Sequence, residues 1–345
     1  MPSYYEIFVN DIANAYDKDE RATRSLANDI TSGIEQDLSG AKYVNELLQN
    51  ADDAGRNINH PIAVEIILTE HFLLFKHNGG HFDDGDVDGI SDCASTNRKK
   101  LDDLEAIGHK GRGFKAVFSI SNYVLIVCKN WSFRFDKANW NGVRPWQLMP
   151  AWTNVADYPA EIAPFINVEQ VCFAIRLDKV NRSEVLSHII GYRHDPKLMI
   201  FLKRTNSLSL TDTVSNEQFQ ITYDKQNLQQ NNDTRIETIQ AKYNELNIAS
   251  WYVYTINCKV PAVMQEKLKN QENIPKKYKE IDSIPVTLAY EIKNNEMTNV
   301  AHPAIACYLF TEIDLGMQSI INAEFFLESS RAQFQGNDCG ITWNA

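Results

Sequence analysis

The sequence is short of organised cysteine: six in 345 residues, at positions 93, 128, 172, 258, 307 and 339, with no C-x-x-C pair. Thiols scattered in this way point to a reducing, cytoplasmic setting and not to a disulfide framework. No H-E-x-x-H array is present, which leaves a zinc site with little support. No stretch approaches the roughly 20 apolar residues that span a bilayer. Residues 1–12 lack a basic segment followed by an apolar one, so neither a membrane span nor a secretory leader is expected. Glycine and proline number only 15 and 11, which excludes collagen-like and low-complexity chains. Positive charge is also short, with 34 Lys and Arg against 45 Asp and Glu and a net charge of −11. That balance disfavours broad electrostatic binding to nucleic acid. What is present is apolar content, 43%, enough for about two domains with proper cores.

Residues 7–36 carry apolar side chains at helical spacing (Phe8, Ile12, Ala15, Leu26, Ile30, Ile34) and read as one or two amphipathic helices. Another helix is expected from Ser39 or Gly40 through AKYVNELLQNADDA, closed by Gly55. Two strands follow, PIAVEIILTE and HFLLFKH. Residues 83–107 are polar and charge-dense and read as a mobile loop with one short helix. The cluster GHKGRGF is expected to open a helix over FKAVFSIS, followed by strands NYVLIVCK and WSFRFD. A long irregular connection over 137–165 leads to a strand, VCFAIRL, a helix from about residue 181, and the apolar run PKLMIFL. Beyond residue 204 the character changes to successive strands: NSLSLTD, QFQITYD, TRIETIQAKY, SWYVYTINCKV, SIPVTLAYEI and AIACYLFTE. The helix PAVMQEKLKN interrupts them, and QNLQQNND reads as a surface hairpin loop. The chain stops at CGITWNA, just after an apolar stretch, as is expected of a piece of a longer protein or of an unusually short one.

Three short motifs carry candidate chemistry. In Glu46-Leu-Leu-Gln-Asn50-Ala-Asp-Asp53 the spacing i, i+4, i+7 places Glu46, Asn50 and Asp53 on one helix face, beside an apolar stripe of Leu47, Ala51 and Ala54. A carboxylate there can orient and deprotonate water, and an amide oxygen suits Mg²⁺. Gly108-His-Lys110-Gly111-Arg112-Gly113-Phe114-Lys115 resembles neither a Walker A loop nor G-x-G-x-x-G. Its glycines would let backbone N–H groups approach phosphate at a helix start, among the cations Lys110, Arg112 and Lys115. His77-Asn78-Gly79-Gly80 ends a strand. The glycines admit a flat ligand, and His77 or Asn78 could offer an acceptor to an exocyclic amine. Taken singly, each motif reads more readily as a solvated helix face or a plain turn.

Their order along the chain decides between these readings. A carboxylate–amide helix, a strand–turn–Gly, a polar loop and G-x-x-G-x-G in succession resemble the GHKL superfamily: the 90-kDa heat-shock chaperones, type II topoisomerase ATPase subunits, MutL and sensor histidine kinases. ELLQNADDAG, HNG followed by Phe82, AST at 94–96, GHKGRGFKAVFSIS and PKLMIFLKRTNSLSL are most similar to the sacsin-type branch. The resemblance implies an α/β (α+β) chain: a two-layer Bergerat sandwich of helices on a mixed, mostly antiparallel sheet over 1–203, with an ATP lid at about 83–110. A strand-rich domain resembling a chaperone middle domain follows over 204–345.

The resemblance also implies roles. Glu46 would be the general base, Asn50 the Mg²⁺ ligand and Asp53 part of the nucleotide pocket. His77, Asn78 and Gly79 would meet the base, Ser95 and Thr96 the nucleotide, and Gly108, Lys110, Gly111, Arg112, Gly113, Phe114 and Lys115 the phosphates. The superfamily usually reads adenine with the Asp of a D-x-G turn, where this chain has His77. FLESSRAQFQ is similar to the chaperone middle-domain loop that reaches the γ-phosphate, so Arg331 and Gln335 would complete the catalytic set.

The implied activity is Mg²⁺-dependent binding and slow hydrolysis of ATP. It would drive lid closure, rearrangement between domains and dimerisation through residues 1–36, as in a chaperone-like protein. The alternatives are a nucleotide-gated DNA-acting module, against which the net charge of −11 argues, and a nucleotide sensor that does not hydrolyse. Client and partner domains cannot be read from this chain.

Overall fold

A computed structural model describes residues 2–16, 20–36, 42–92, 113–270, 276–300 and 303–311, together with 313, 316–327, 333, 334, 336 and 343. The described residues fall into two compact units. The first gathers those up to Gly191 together with Ser207–Gln220; the second gathers Tyr192–Asn206 and those from Ile221 onward. The division is thus not a single cut. The first residues of one hairpin belong with the first unit, although a segment of the second precedes them in the chain.

In the first unit, helices α1 (Tyr4–Ala15), α2 (Glu20–Gln36) and α3 (Lys42–Ala54) precede strands β1 (Ile62–Leu68) and β2 (Phe72–His77). Helix α4 (Asp84–Ile90), strands β3 (Tyr123–Cys128), β4 (Trp131–Asp136), β5 (Ala151–Trp152) and β6 (Val171–Arg176), helix α5 (Arg182–His194) and strand β7 (Thr205–Asp212) follow. The strand order is β7-β1-β2-β6-β3-β4-β5. The pairs from β1 to β5 are antiparallel, with Val64 opposite His77 and Phe75 opposite Phe173.

Side chains alternate across a strand, so β2 presents Phe72 and Leu74 to one face and Leu73, Phe75 and His77 to the other. The first face packs with Leu125, Val127, Cys172 and Ala174 under Ile162, Tyr158 and Phe165 of the irregular 153–170 segment. The other face carries an aromatic cluster in which Phe114 contacts Phe118, Phe135 and Phe173. Because both faces are covered, β2 and β3 are buried at every position, and they read in the sequence as continuous apolar runs instead of alternating ones.

Local chemistry sets the helix ends. Ser3 caps α1 by accepting from the Glu6 N–H at 3.2 Å, and Asp83 and Asp86 form a reciprocal capping box on α4. The glycine cluster departs from expectation: Gly113–Ser119 is a 3₁₀ segment and not an α-helix. The tighter turn brings residues three apart into line, which stacks Phe114, Val117 and Ile120 into the core. A seven-residue 3₁₀ segment contributes little of the aligned dipole that a longer α-helix would offer an anion.

In the second unit, long antiparallel strands β8 (Gln218–Gln230), β9 (Thr234–Tyr243), β10 (Leu246–Lys259) and β11 (Ser283–Lys293) form a meander. They are followed by β12 (Glu296–Thr298), β13 (Ile305–Cys307), β14 (Leu309–Phe310) and β15 (Ile320–Asn322), with the order β14-β13-β15-β11-β10-β9-β8. Two-residue turns at Asn244-Glu245 and Asn294-Asn295 have positive φ at both positions, the type I′ geometry that matches strand twist.

Helices α6 (Ala262–Lys269) and α7 (Lys276–Lys279) supply Met264, Leu268 and Tyr278 to a small core with Val260 and Ile281. QNLQQ, expected in a loop, continues β8 and pairs with β9 as far as Gln230–Arg235. The full pairing along β9 outweighs weak strand propensity. The expected strand AIACYLFTE is broken in two at Tyr308, which has φ +64°. Among the described residues, no helix is long and apolar enough to cross a membrane.

Candidate functional site

Helix α3 is covered on most sides. Tyr43, Val44, Leu47, Leu48 and Ala51 are buried, and so are the polar Gln49, Asp52 and Asp53. Glu46 and Asn50 are half-buried, so the predicted polar face survives as its carboxylate–amide part, with Asp53 drawn under cover. The Asp53 carboxylate lies 3.8 Å from the Arg56 guanidinium. Gln49 and Asp52 were missed in the sequence, where polar residues on a helix read as solvated. The Tyr43 phenol is pushed well above its ordinary range, first by burial and then by the nearby Glu184 charge.

The C-terminal end of α3 meets the turn after β2. The Gly80 N–H donates to the Ala54 carbonyl at 2.8 Å. A Cβ on Gly79 would lie 2.9 Å from Ala54 Cβ and 2.9 Å from His77 Nδ1, so the group that requires glycine at 79 is the helix itself. The turn is fixed on both sides: the Phe82 N–H donates to Cys128 Sγ at 3.2 Å, and the Trp131 indole donates to the Phe82 carbonyl at 3.0 Å. Burial pushes the Cys128 thiol up to about 11, so this sulfur serves as a packed acceptor and not as a nucleophile.

Both acceptors expected on this turn are engaged. Asn78 Oδ1 accepts from the Ala63 N–H at 2.8 Å, and His77 Nδ1 accepts from the Gly79 N–H at 3.2 Å. His77 is buried and stacks on Phe173, with centroids 6.4 Å apart at 29°.

The 3₁₀ segment Gly113–Ser119 packs against α3. Phe114 is a core aromatic, and Lys115 is buried, its ammonium donating to the Ile90 carbonyl at 2.6 Å and the Gln147 carbonyl at 2.8 Å. That ammonium also lies 5.4–5.8 Å from the ring centroids of Phe114, Phe118 and Phe135. Lys115 was expected beside phosphate; here it ties the end of α4 to residues 146–148. The hydroxyl of Ser91 and the side-chain oxygen of Gln147, both buried beside these carbonyls, have no hydrogen-bond partner among the described residues. Gly113 opens the 3₁₀ segment. Ser95, Thr96, Gly108, Lys110, Gly111, Arg112, Arg331 and Gln335 lie outside the described residues.

The second unit holds a cavity of about 470 Å³ over one face of β8–β11, lined by Lys225, Thr255, Thr287, Tyr308, Asn322 and Glu324 among others. No sequence motif pointed to it. Much of its polar chemistry is internal. Lys225 donates to the Leu202 carbonyl, the Tyr308 hydroxyl donates to Glu324 at 2.9 Å, Asn322 accepts from the Tyr308 N–H at 2.6 Å, and Thr255 and Thr287 pair at 3.1 Å. These bonds tie β8 to the Leu202 carbonyl, β10 to β11, and Tyr308 to residues 322 and 324. The α3 region is the candidate site, because there one helix carries a half-buried carboxylate and amide and meets a glycine turn at its end. No model of a known protein family matches this chain, and no curated protein matches it.

Proposed function

We propose that the chain is a Mg²⁺-dependent nucleoside triphosphatase of the GHKL kind, with ATP as the nucleotide that the resemblance implies. On this reading the first unit is a Bergerat sandwich and the second a middle-like domain that responds to the nucleotide. The observation that carries it is convergence around one helix. Helix α3, with Glu46 and Asn50 half-buried, is bonded at its end to the 77–80 turn and packed by the segment that begins at Gly113. Segments far apart in the chain meet there, as a nucleotide site assembled from three motifs requires.

Glu46 takes the proton of the attacking water, a half-buried carboxylate being sheltered yet reachable. The oxygen donors on this helix face fit Mg²⁺, with Asn50 as its ligand. When bound, that ion would neutralise phosphate charge. Gly79 and Gly80 let the turn lie close against the end of α3, which sets where a base would meet it. The resemblance alone would add Arg331 and Gln335, which lie outside the described residues.

The test is Mg²⁺-dependent phosphate release by the whole chain beside Glu46→Ala. Slow turnover that Glu46→Ala reduces by about 100-fold or more, with nucleotide binding retained, is expected. Undiminished turnover in Glu46→Ala would remove Glu46 as the base.

A further inference from the structure

We propose that the cavity of the second unit binds a small, singly charged acid rich in hydroxyl or carbonyl oxygens, a sugar acid being the class that fits. The proposal is independent of the nucleotide reading, since every residue that lines this cavity belongs to the second unit.

The volume of about 470 Å³ is in the range of small-molecule sites. Strand pairing orders the floor. Arg235 of β9 is opposite Thr255 of β10, Thr255 is opposite Thr287 of β11, and Thr287 is opposite Asn322 of β15. Directly paired residues share a face. The four side chains therefore form one polar row, and all four line the cavity. With adjacent strands about 4.8 Å apart, the row runs for about 14 Å. The next level on the same face, Val253, Ala289 and Ile320, is apolar and buried.

Bonds within the row leave donors over. Asn322 is 8% exposed. Its Oδ1 accepts from the Tyr308 N–H at 2.6 Å, which fixes the orientation of the amide. Its N–H₂ group has no hydrogen-bond partner among the described residues. Thr255 and Thr287 bond each other at 3.1 Å. Two hydroxyls that share one bond use one of their two protons, so the pair keeps an O–H to donate. The Arg235 guanidinium meets Glu237 through Nε at 3.0 Å, and one carboxylate cannot use all of its N–H donors. Enclosed donors that are left unmet cost free energy, and a ligand that brings acceptors meets them.

The charges limit the ligand further. Lys203, Lys225 and Arg235 are matched in number by Asp233, Glu237 and Glu324, so a ligand with several negative charges would not be balanced. Lys225 donates to the Leu202 carbonyl, and the Lys203 ammonium lies 5.3 Å from the Tyr308 ring centroid. Arg235 is therefore the cation at the end of the row. One carboxylate there, with hydroxyl or carbonyl oxygens over Thr255, Thr287 and Asn322, meets the donors in order. Ile239 and Val253, buried side chains that also line the cavity, offer an apolar wall to the C–H face of a sugar ring.

The test is calorimetric titration of the whole chain with D-glucuronate, D-glucose and glucose 6-phosphate, repeated with Arg235→Gln and Thr287→Val. Glucuronate should bind wild type about tenfold more tightly than glucose, the effect of one charge-assisted contact, and more tightly than glucose 6-phosphate. Arg235→Gln should remove the advantage over glucose. Thr287→Val, which keeps the shape of the side chain, should weaken glucuronate and glucose alike by about threefold or more. The Arg235 side chain is 47% exposed, so its replacement leaves the fold in place and keeps the test decisive even if Thr287→Val does not fold. Equal binding of glucose, tighter binding of glucose 6-phosphate, or glucuronate binding unchanged by Arg235→Gln overturns the proposal. So does the absence of glucuronate binding at about 10 mM.

Discussion

The two units bury polar groups in different ways. In the first, strands β2 and β3 are covered on both faces, and polar side chains at their ends and on α3 are enclosed with specific partners. Lys76 donates to Glu65 at 2.8 Å, His77 accepts from Gly79, and Lys115 donates to two carbonyls. In the second, the long strands alternate in the usual one-sided way near their middles and run out into solvent, as in the last five positions of β8, all exposed. The second unit also encloses polar groups with specific partners, Tyr308 with Asn322 and Glu324, so the difference lies in how the strands are covered. A polar group enclosed in a low-dielectric interior is costly unless its bonds are met, so enclosed groups are held in fixed orientations. Fixed orientation is what a site that reads a base or activates water needs.

The comparison is tested most strongly by truncation. Phe75→Ala, in the doubly covered strand, should cost about 3–5 kcal/mol in denaturant unfolding. Leu228→Ala, on the tail of β8 where Leu228 is 56% exposed, should stay within about 0.5 kcal/mol. Similar losses at both positions would erase the distinction.

A smaller effect separates two roles for Lys115. Lys115→Met removes the donor to Ile90 and Gln147 and should lower stability by about 2–3 kcal/mol, with the loss seen in the absence of nucleotide. If unfolding is unchanged and nucleotide binding alone weakens, Lys115 belongs to the phosphate contacts that the sequence suggested.

The smallest effect is one of pH. Asp212 is buried and paired with Arg182. Burial pushes its carboxyl up, but hydrogen bonds from the Ser215 hydroxyl, the Val214 and Ser215 N–H groups and Arg182 outweigh it. The net result lies below the ordinary 3.8. A depressed carboxyl stabilises the fold in full above that ordinary value and loses the contribution as pH falls through its lower folded value. Asp212→Asn should therefore cost about 1–2 kcal/mol at neutral pH and flatten this part of the acid limb in pH-dependent melts. An unchanged acid limb would show that this carboxylate does not control it.

Much of this was legible. The run FLLFKH and the alternation in WSFRFD indicated strands because burial on two faces or one leaves different patterns. Gly55 closed α3 as expected, and the i, i+4, i+7 spacing identified the face on which Glu46 and Asn50 remain half-buried. The 3₁₀ form of 113–119 was not legible, since its hydrogen-bond period is set by how Phe114 and Val117 pack and not by their identities. Nor was the continuation of QNLQQ as a strand, which depends on the length of its partner β9.

The sequence by itself determined the order of the elements, the apolar surfaces and the three motifs, because local propensity and periodicity are properties of neighbouring residues. Only the tertiary structure decided what each polar atom does. It gave Gly79 to α3, the Lys115 ammonium to two carbonyls, and the acceptor nitrogen of His77 to its own turn. The reason is physical: a side chain has several hydrogen-bonding options in sequence, and burial among distant partners leaves it one.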